Sequence, residues 1–337
     1  MKTNTSKILS SHTLGRVLIG LTLLYAALYA DTGSWDGANG GNWGGAYWFS
    51  DNPGTIPVAY PNGVDETADF HNNSFFLNST ITLADAGGSD LNVTIGHWNH
   101  NAPSSNRAIT LVNTGGGTGK LTFETTSGNA TFLNSGSSSN TDTIETDIIL
   151  NSSLDMQIGY LSSARAPVYF DNTVSGAGAL LKTVRQSTLH LQGSSPNTFS
   201  GGVTINDGTI SAEKSGALGT GDLIIQETSG TSTAQLSILA GISDALYSTA
   251  TISLFSDSGN YATLDLGAGV NQSIAGLSFD GSSQAAGTWG ASGSGASNIN
   301  DDWFSGSGVV TVIPEPSSLI LLGIGFGLMA VLRRKRR

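Results

Sequence analysis

The chain has 337 residues, a net charge of −11 and no cysteine, so neither disulfides nor thiolate metal sites hold it together and its stability must come from packing and hydrogen-bond ladders. Eight of its 14 Lys and Arg lie in the first sixteen or the last five residues, whereas all 25 Asp and Glu lie between; that middle stretch sets six cations against 25 anions, a net charge of −19. So acidic a surface repels phosphate backbones and anionic membranes, which speaks against nucleic acid as a partner.

Residues 1–30 read as a secretory signal peptide. Lys2, Lys7 and Arg16 precede an apolar run from Val17 to Leu28 with small residues at Ala26, Ala27 and Ala30, which is the charge, core and cleavage pattern of such segments. Cleavage is expected after Ala30; Leu28 departs from the usual Ala-x-Ala spacing. The body then begins at Asp31.

Along the body, glycine is abundant, 45 residues in the whole chain, about twice the usual ~7%. Short apolar runs alternate with polar residues at period two: Leu121-Thr122-Phe123-Glu124, Thr188-Leu189-His190-Leu191, Val203-Thr204-Ile205, Ala262-Thr263-Leu264-Asp265-Leu266 and Val309-Val310-Thr311-Val312. Each is bounded by Gly, Asn, Asp or Ser, which predicts short strands joined by tight turns and no helix. Such a pattern suits a sandwich, a barrel or a β-solenoid, and local spacing does not choose among them. Six tryptophans and the alternating Val, Ile, Leu and Phe supply a core and argue against disorder.

Candidate chemistry is sparse. His97-Trp98-Asn99-His100, with His71 and Asp69, is the one histidine cluster, and it lacks a defined third metal ligand. There is no His-Glu-x-x-His helix and no Gly-x-Ser-x-Gly elbow; Gly293-Ser294-Gly295 reads as a loop. The acid pairs Asp65-Glu66 and Asp301-Asp302 are adjacent, and adjacent strand residues point to opposite faces, so they do not converge as glycosidase carboxylates. No cofactor is expected; calcium at Asp/Asn clusters is the one candidate ion, without a Gly-Gly-x-Gly-x-Asp repeat to support it. Trp35, Trp43, Tyr47 and Trp48 are aromatics suited either to stacking on sugars, with Trp43 and Trp48 as candidate glycan contacts, or to sealing one end of a solenoid.

At the C-terminus, Pro314-Glu315-Pro316 precedes an uncharged stretch from Leu319 to Leu332, followed by the block Arg333, Arg334, Lys335, Arg336 and Arg337. As a helix the stretch spans about 21 Å at 1.5 Å per residue, short of the roughly 30 Å hydrocarbon core. The basic block marks a cytoplasmic stop, which agrees with the topology set by the signal peptide. The prolines hold Glu315 in an extended segment outside the helix.

Four resemblances follow from these residues. Gly176-Ala177-Gly178-Ala179-Leu180-Leu181-Lys182-Thr183, Ser187-Thr188-Leu189-His190-Leu191-Gln192-Gly193, Asn197-Thr198-Phe199-Ser200-Gly201-Gly202-Val203-Thr204-Ile205, Gly208-Thr209-Ile210 and Ala217-Leu218-Gly219-Thr220-Gly221 resemble the autotransporter-associated β-strand repeat, which implies a right-handed parallel β-helix. The likeness covers one copy and departs at Val184-Arg185-Gln186, where a wider corner is expected. Trp35-Asp36-Gly37, Gly41-Asn42-Trp43, Pro61-Asn62-Gly63-Val64-Asp65 and Ala68-Asp69-Phe70 are similar to the opening of exported proteins that carry this repeat. Gln284-Ala285-Ala286-Gly287-Thr288-Trp289-Gly290, Asn298-Ile299-Asn300-Asp301-Asp302 and Phe304-Ser305-Gly306-Ser307-Gly308 resemble the module that closes their bodies. The tail resembles the PEP-CTERM sorting signal, which implies an exosortase as partner, removal of the tail and delivery to the cell surface or extracellular polysaccharide. No translocator barrel follows the repeat in this sequence, so a self-exporting autotransporter is not expected.

The expected organisation is a signal peptide at 1–30, a cap with the first coils at 31–143, a β-helix with the repeat at 144–270, a closing module at 271–313 and the sorting signal with a short transmembrane helix at 314–337. The expected function is a non-enzymatic, exported surface or matrix protein, structural or adhesive. The alternative is a β-helical polysaccharide-binding module or a lyase or hydrolase, and a lyase would draw its base from Arg107, Lys120, Arg165, Lys182, Arg185 or Lys214.

Overall fold

In a parallel ladder each strand leaves its outer row of backbone donors and acceptors to be paired by a strand that arrives later in the chain. The computed structural model of the protein describes residues 32–313 apart from 37–39, 51–57, 71–77, 102–107, 136–140, 160–166, 185 and 229–232. The expected signal peptide, apolar stretch, basic block and Pro-Glu-Pro motif therefore lie outside the described residues. Among those described there is no helix, and hence none long and apolar enough to cross a membrane.

The described chain is all-β, and its strands visit three sheets in turn. His97–His100 lies in the first sheet, Ile109–Val112 in the second and Lys120–Phe123 in the third. The next circuit, Ala130–Asn134, Asp142–Ile144 and Asp147–Leu150, pairs parallel with those three strands one for one. Leu154–Ile158 then begins another circuit on Ala130–Asn134. This is the connectivity of a β-solenoid, and it separates the parallel coil from the sandwich and barrel that period two alone left open.

The period-two runs of the sequence form strands with one residue in and the next out. Thr188–Leu191, Thr263–Leu266 and Val309–Val312 all alternate between half-exposed and buried positions. Register stacks like on like along the core: Trp98 sits over Phe132, which sits over Met156, and the rings of Trp98 and Phe132 are 5.2 Å apart and nearly parallel. Phe70 packs on the other side of Trp98 at 4.4 Å.

The segment that resembles the autotransporter-associated repeat supplies strands to all three sheets: Val174–Gly176, Leu180–Val184, Thr188–Leu191, Val203–Ile205, Thr209–Ala212 and Leu223–Gln226. Gly176 has φ 111, and a Cβ there would lie 2.3 Å from the Leu150 carbonyl oxygen of the previous turn, so only glycine lets the backbones approach. Buried Asn197 replaces a strand where the third sheet stops. Its Oδ1 accepts from Val174 N at 2.8 Å and its Nδ2 donates to Ala217 O at 2.6 Å, tying turns on either side of it. Just before the departure from the repeat pattern, Leu181 faces Asp155 but Val184 faces Gln157, which leaves an extra residue on the later strand; Arg185 at the corner itself lies outside the described residues.

Both edges of the first sheet are closed by short antiparallel strands, Trp48–Phe49 against Thr32–Trp35 and Ser282–Ser283 against Gly276–Phe279. Reversing direction at these short strands ends the parallel ladder of that sheet. Gly287–Gly290 pairs antiparallel with Val309–Val312 and carries Asn298–Ile299 in parallel on its other side.

Carboxylates stitch the corners. Asp65, with φ 64, accepts from Thr126 N at 2.9 Å and Thr126 Oγ1 at 2.6 Å. Asp90, Asp222 and Asp280 accept from Thr118 N, Thr251 N and Ser256 N, each at 2.8 Å. The Thr126 bonds hold the Asp65 carboxyl below its usual value of 3.8, and burial lowers the pKa of neighbouring His97 from 6.5, with Asp65 acting in the opposite sense.

Two outcomes are expected. Trp98→Ala, which empties the space between Phe70 and Phe132, should lower the unfolding free energy by about 3–5 kcal/mol in urea titrations. A depressed pKa, for acid and histidine alike, gives stability that is complete above the unfolded value and lost as pH falls through the folded one. Thermal melts should therefore drop below pH 6.5 through His97 and again below 3.8 through Asp65. Asp65→Asn, which tolerates the same positive φ, should flatten the lower of the two losses.

Candidate functional site

Because outward residues stack in register, a coil presents rows of side chains, and the second sheet carries the longest polar one. From Thr80 the row runs through Thr110, Thr143, Tyr169, His190, Ser211, Ser237 and Asp265 to Ser305. At about 4.8 Å per strand it extends about 38 Å.

The centre of this row is a connected cluster. The rings of Tyr169 and His190 stack at 4.3 Å and 12°. His190 Nδ1 lies 2.5 Å from Glu213 Oε1, and Ser211 Oγ donates to the same oxygen at 2.8 Å. One residue on, Lys214 Nζ donates to Asn172 O at 2.8 Å. Burial lowers the Lys214 pKa to about 8, against the pull of Asp171 and Asp147. Further along, Ser237 Oγ and Ser305 Oγ both donate to the Asp265 carboxylate, at 3.1 and 3.0 Å. Chemically this is a hydroxyl-rich, hydrogen-bonding row with a stacked Tyr169–His190 pair at its middle, in which Ser211 is buried beneath the surface.

The residues singled out in the sequence fall elsewhere. Trp43 and Trp48 are completely buried, so neither presents a face to a glycan and that assignment is corrected. Trp43 Nε1 donates to Pro61 O at 3.0 Å and Trp48 Nε1 to Trp43 O at 2.7 Å, and their rings lie 4.9 Å apart beside Trp35, Phe70 and Trp98. These aromatics face inward because alternation on their strands leaves the outward positions to Ser34, Asn42 and Gly44. Tyr47 alone of the four is exposed.

The histidine cluster is split by the same alternation. His97 points outward to Thr131 Oγ1 at 2.9 Å, whereas His100 is buried with Nδ1 2.8 Å from Asp142 Oδ1. Trp98 Nε1 donates to the other oxygen of Asp142 at 3.2 Å. Asp69 accepts from Asn99 Nδ2 at 3.0 Å, and His71 lies outside the described residues. The acid pairs do not converge: Asp65 is held by Thr126, Glu66 accepts from Asn62 N at 2.6 Å, and Asp301 accepts from Ser292 N at 2.6 Å. Among the described residues no three His, Asp or Glu side chains are placed to hold a metal ion.

Of the six body cations, Lys120 is exposed on the third sheet, and Lys182 and Lys214 are buried. Lys182 Nζ donates to Val184 O at 2.8 Å. Arg107, Arg165 and Arg185 lie outside the described residues. The row on the second sheet was missed in the sequence because its members are 21 to 40 residues apart and only the register aligns them.

Two grooves open elsewhere. One, of about 470 Å³, lies between Pro196, Ser215, Asp244 and the exposed ring of Tyr247. The other, of about 460 Å³, adjoins the last described residues and is bordered by Thr251, Ser253, Gly276, Ser283 and Ile313.

Compared with known proteins, the chain matches the family model of the PEP-CTERM protein-sorting motif over residues 312–337. No curated protein and no solved structure matches it. The chain therefore carries, from the last residue of its final strand to its C-terminus, the sorting motif of exported proteins that an exosortase recognises.

Proposed function

We propose that this is a structural or adhesive protein of the cell surface or extracellular matrix, exported and then sorted by an exosortase-type enzyme that removes its tail. The observation that carries the reading is the sorting-motif match at 312–337. The tail's mechanics support it: the apolar stretch is too short to hold a large acidic body across a bilayer, while Arg333, Arg334, Lys335, Arg336 and Arg337 halt translocation. The anchor in the inner membrane is thus transient. The likeness of residues 176–225 to the autotransporter-associated repeat supports a surface-displayed β-helical body. Its right-handed sense follows from the strong bias of parallel crossovers, about 98%. A polar coil of stacked turns, with no converged catalytic set among the described residues, is suited to be a spacer or an adhesive surface.

Mass spectrometry of the termini in fractionated native cells should find a mature protein that starts near Asp31 and lacks Arg333 to Arg337. Glu315→Ala preserves the apolar stretch and the basic stop, so it should leave an unprocessed, membrane-retained form. An intact C-terminus in native membranes would refute the sorting reading.

A second reading, extracellular polysaccharide as the partner, is favoured by the straight hydroxyl row around Tyr169. An extended glycan lies along such a row against the outward edges of the Tyr169–His190 stack, with hydroxyls exchanged with Thr143 and Ser237. In glycan-array titrations Tyr169→Ala should weaken binding roughly tenfold, ~1.4 kcal/mol, whereas Lys120→Ala on the third sheet should leave it unchanged.

A further inference from the structure

The final strand stops where the coil should begin another turn. Val309–Val312 sits on Asn271–Ile274 with Val312 over Ile274, and Ile313 N donates to Ile274 O at 2.9 Å. The earlier strand continues through Ala275 into Gly276–Phe279 of the first sheet. The same spacing would lay Pro314 over Gly276 and Glu315 over Leu277. That edge is already taken: Ser282–Ser283 pairs with Ser278 and Phe279, and Gln284 N donates to Leu277 O at 2.8 Å. Pro314 and Pro316 also have no N–H to give a ladder. The first sheet therefore offers no free edge to a strand continuing past Ile313.

Beside that point lies the 460 Å³ groove, with Val312 and Ile313 at one end and Ser283, Gln284, Thr251 and Ser253 around the rest. None of its lining residues is charged, although the body as a whole is strongly acidic. A carboxylate placed there meets no like charge from the lining. Ser278 and Ser253 share one hydrogen bond of 3.0 Å, which leaves one hydroxyl hydrogen of the pair to donate. Gly276 leaves the groove open: a Cβ at this position would come no closer than 3.4 Å to Thr251 Cγ2, so the space is real and a side chain would occupy it without displacing backbone. Four extended residues cover about 12 Å at ~3.1 Å each, enough to run from the rim at Ile313 along the groove.

From this geometry we propose that the groove is a docking site for the chain's own Pro314–Ser317 segment, which holds the sorting motif against the last turn of the body before the sorting enzyme takes it. The proposal rests on the reading of the tail as a sorting signal, but its test does not depend on cleavage.

The chain has no cysteine, so introduced thiols report without background. In full-length protein made in a host without the sorting enzyme, Ser317→Cys combined with Ser283→Cys should be joined by a short bis-maleimide. Ser317→Cys combined with Ser127→Cys, several turns away, should not. In Ser317→Cys alone, adding Gly276→Leu to fill the groove should raise the maleimide labelling rate about tenfold, as expected when a segment docked nine-tenths of the time is released. Equal cross-linking in the two pairs, or labelling unaffected by Gly276→Leu in a variant whose melting is unchanged, would overturn docking. Analysis of the mature termini separately decides whether the tail is a sorting signal.

Discussion

The coil depends on one requirement: the outer edge of each parallel strand is satisfied by the strand one circuit later. In a parallel ladder the partner is never the next element in sequence, so order propagates along the axis from turn to turn, as in other quasi-one-dimensional proteins. The constraint explains the buried amides. Where a strand is missing, Asn197 and Gln272 supply donors and acceptors to the adjoining turns from inside the body. It also explains the two edges of the first sheet, where short reversed strands end the parallel ladder.

The acidic composition has a structural meaning within this frame. Many of the carboxylates accept hydrogen bonds at corners, several of them from backbone N–H groups of a neighbouring turn. Charge-assisted bonds of this kind are stronger than neutral ones. They hold corners in a protein that has no disulfide to do so. They also spread the acids along the corners rather than gathering them, which is why the Asp-rich sequence does not assemble a metal site among the described residues.

Body and tail divide the work between two kinds of physics. The inner strands of the body's first two sheets are paired on both sides, and they display rows of outward residues in register. The tail joins it directly, since the matched motif starts at Val312, inside the final strand. That closeness of the motif to the last described strand is the basis for the proposed groove contact.

The sequence by itself determined the elements and the C-terminal sorting motif. Period-two runs such as Thr263–Leu266 and Val309–Val312 became strands because alternation dictates one buried and one outward face whatever the sheet. The tail was legible because Pro-Glu-Pro, an apolar stretch and a basic block are contiguous and need no fold to be recognised. Only the tertiary structure decided which face each residue took and what it met there. Trp43 and Trp48 went inside, and His97 and His100, three residues apart, went to opposite faces. Tyr169, His190 and Ser211, far apart in sequence, came into line. The physical reason is register: a one-residue shift exchanges the two faces of a strand, and register is set by the length of each whole turn, which varies here and is not written in any local pattern.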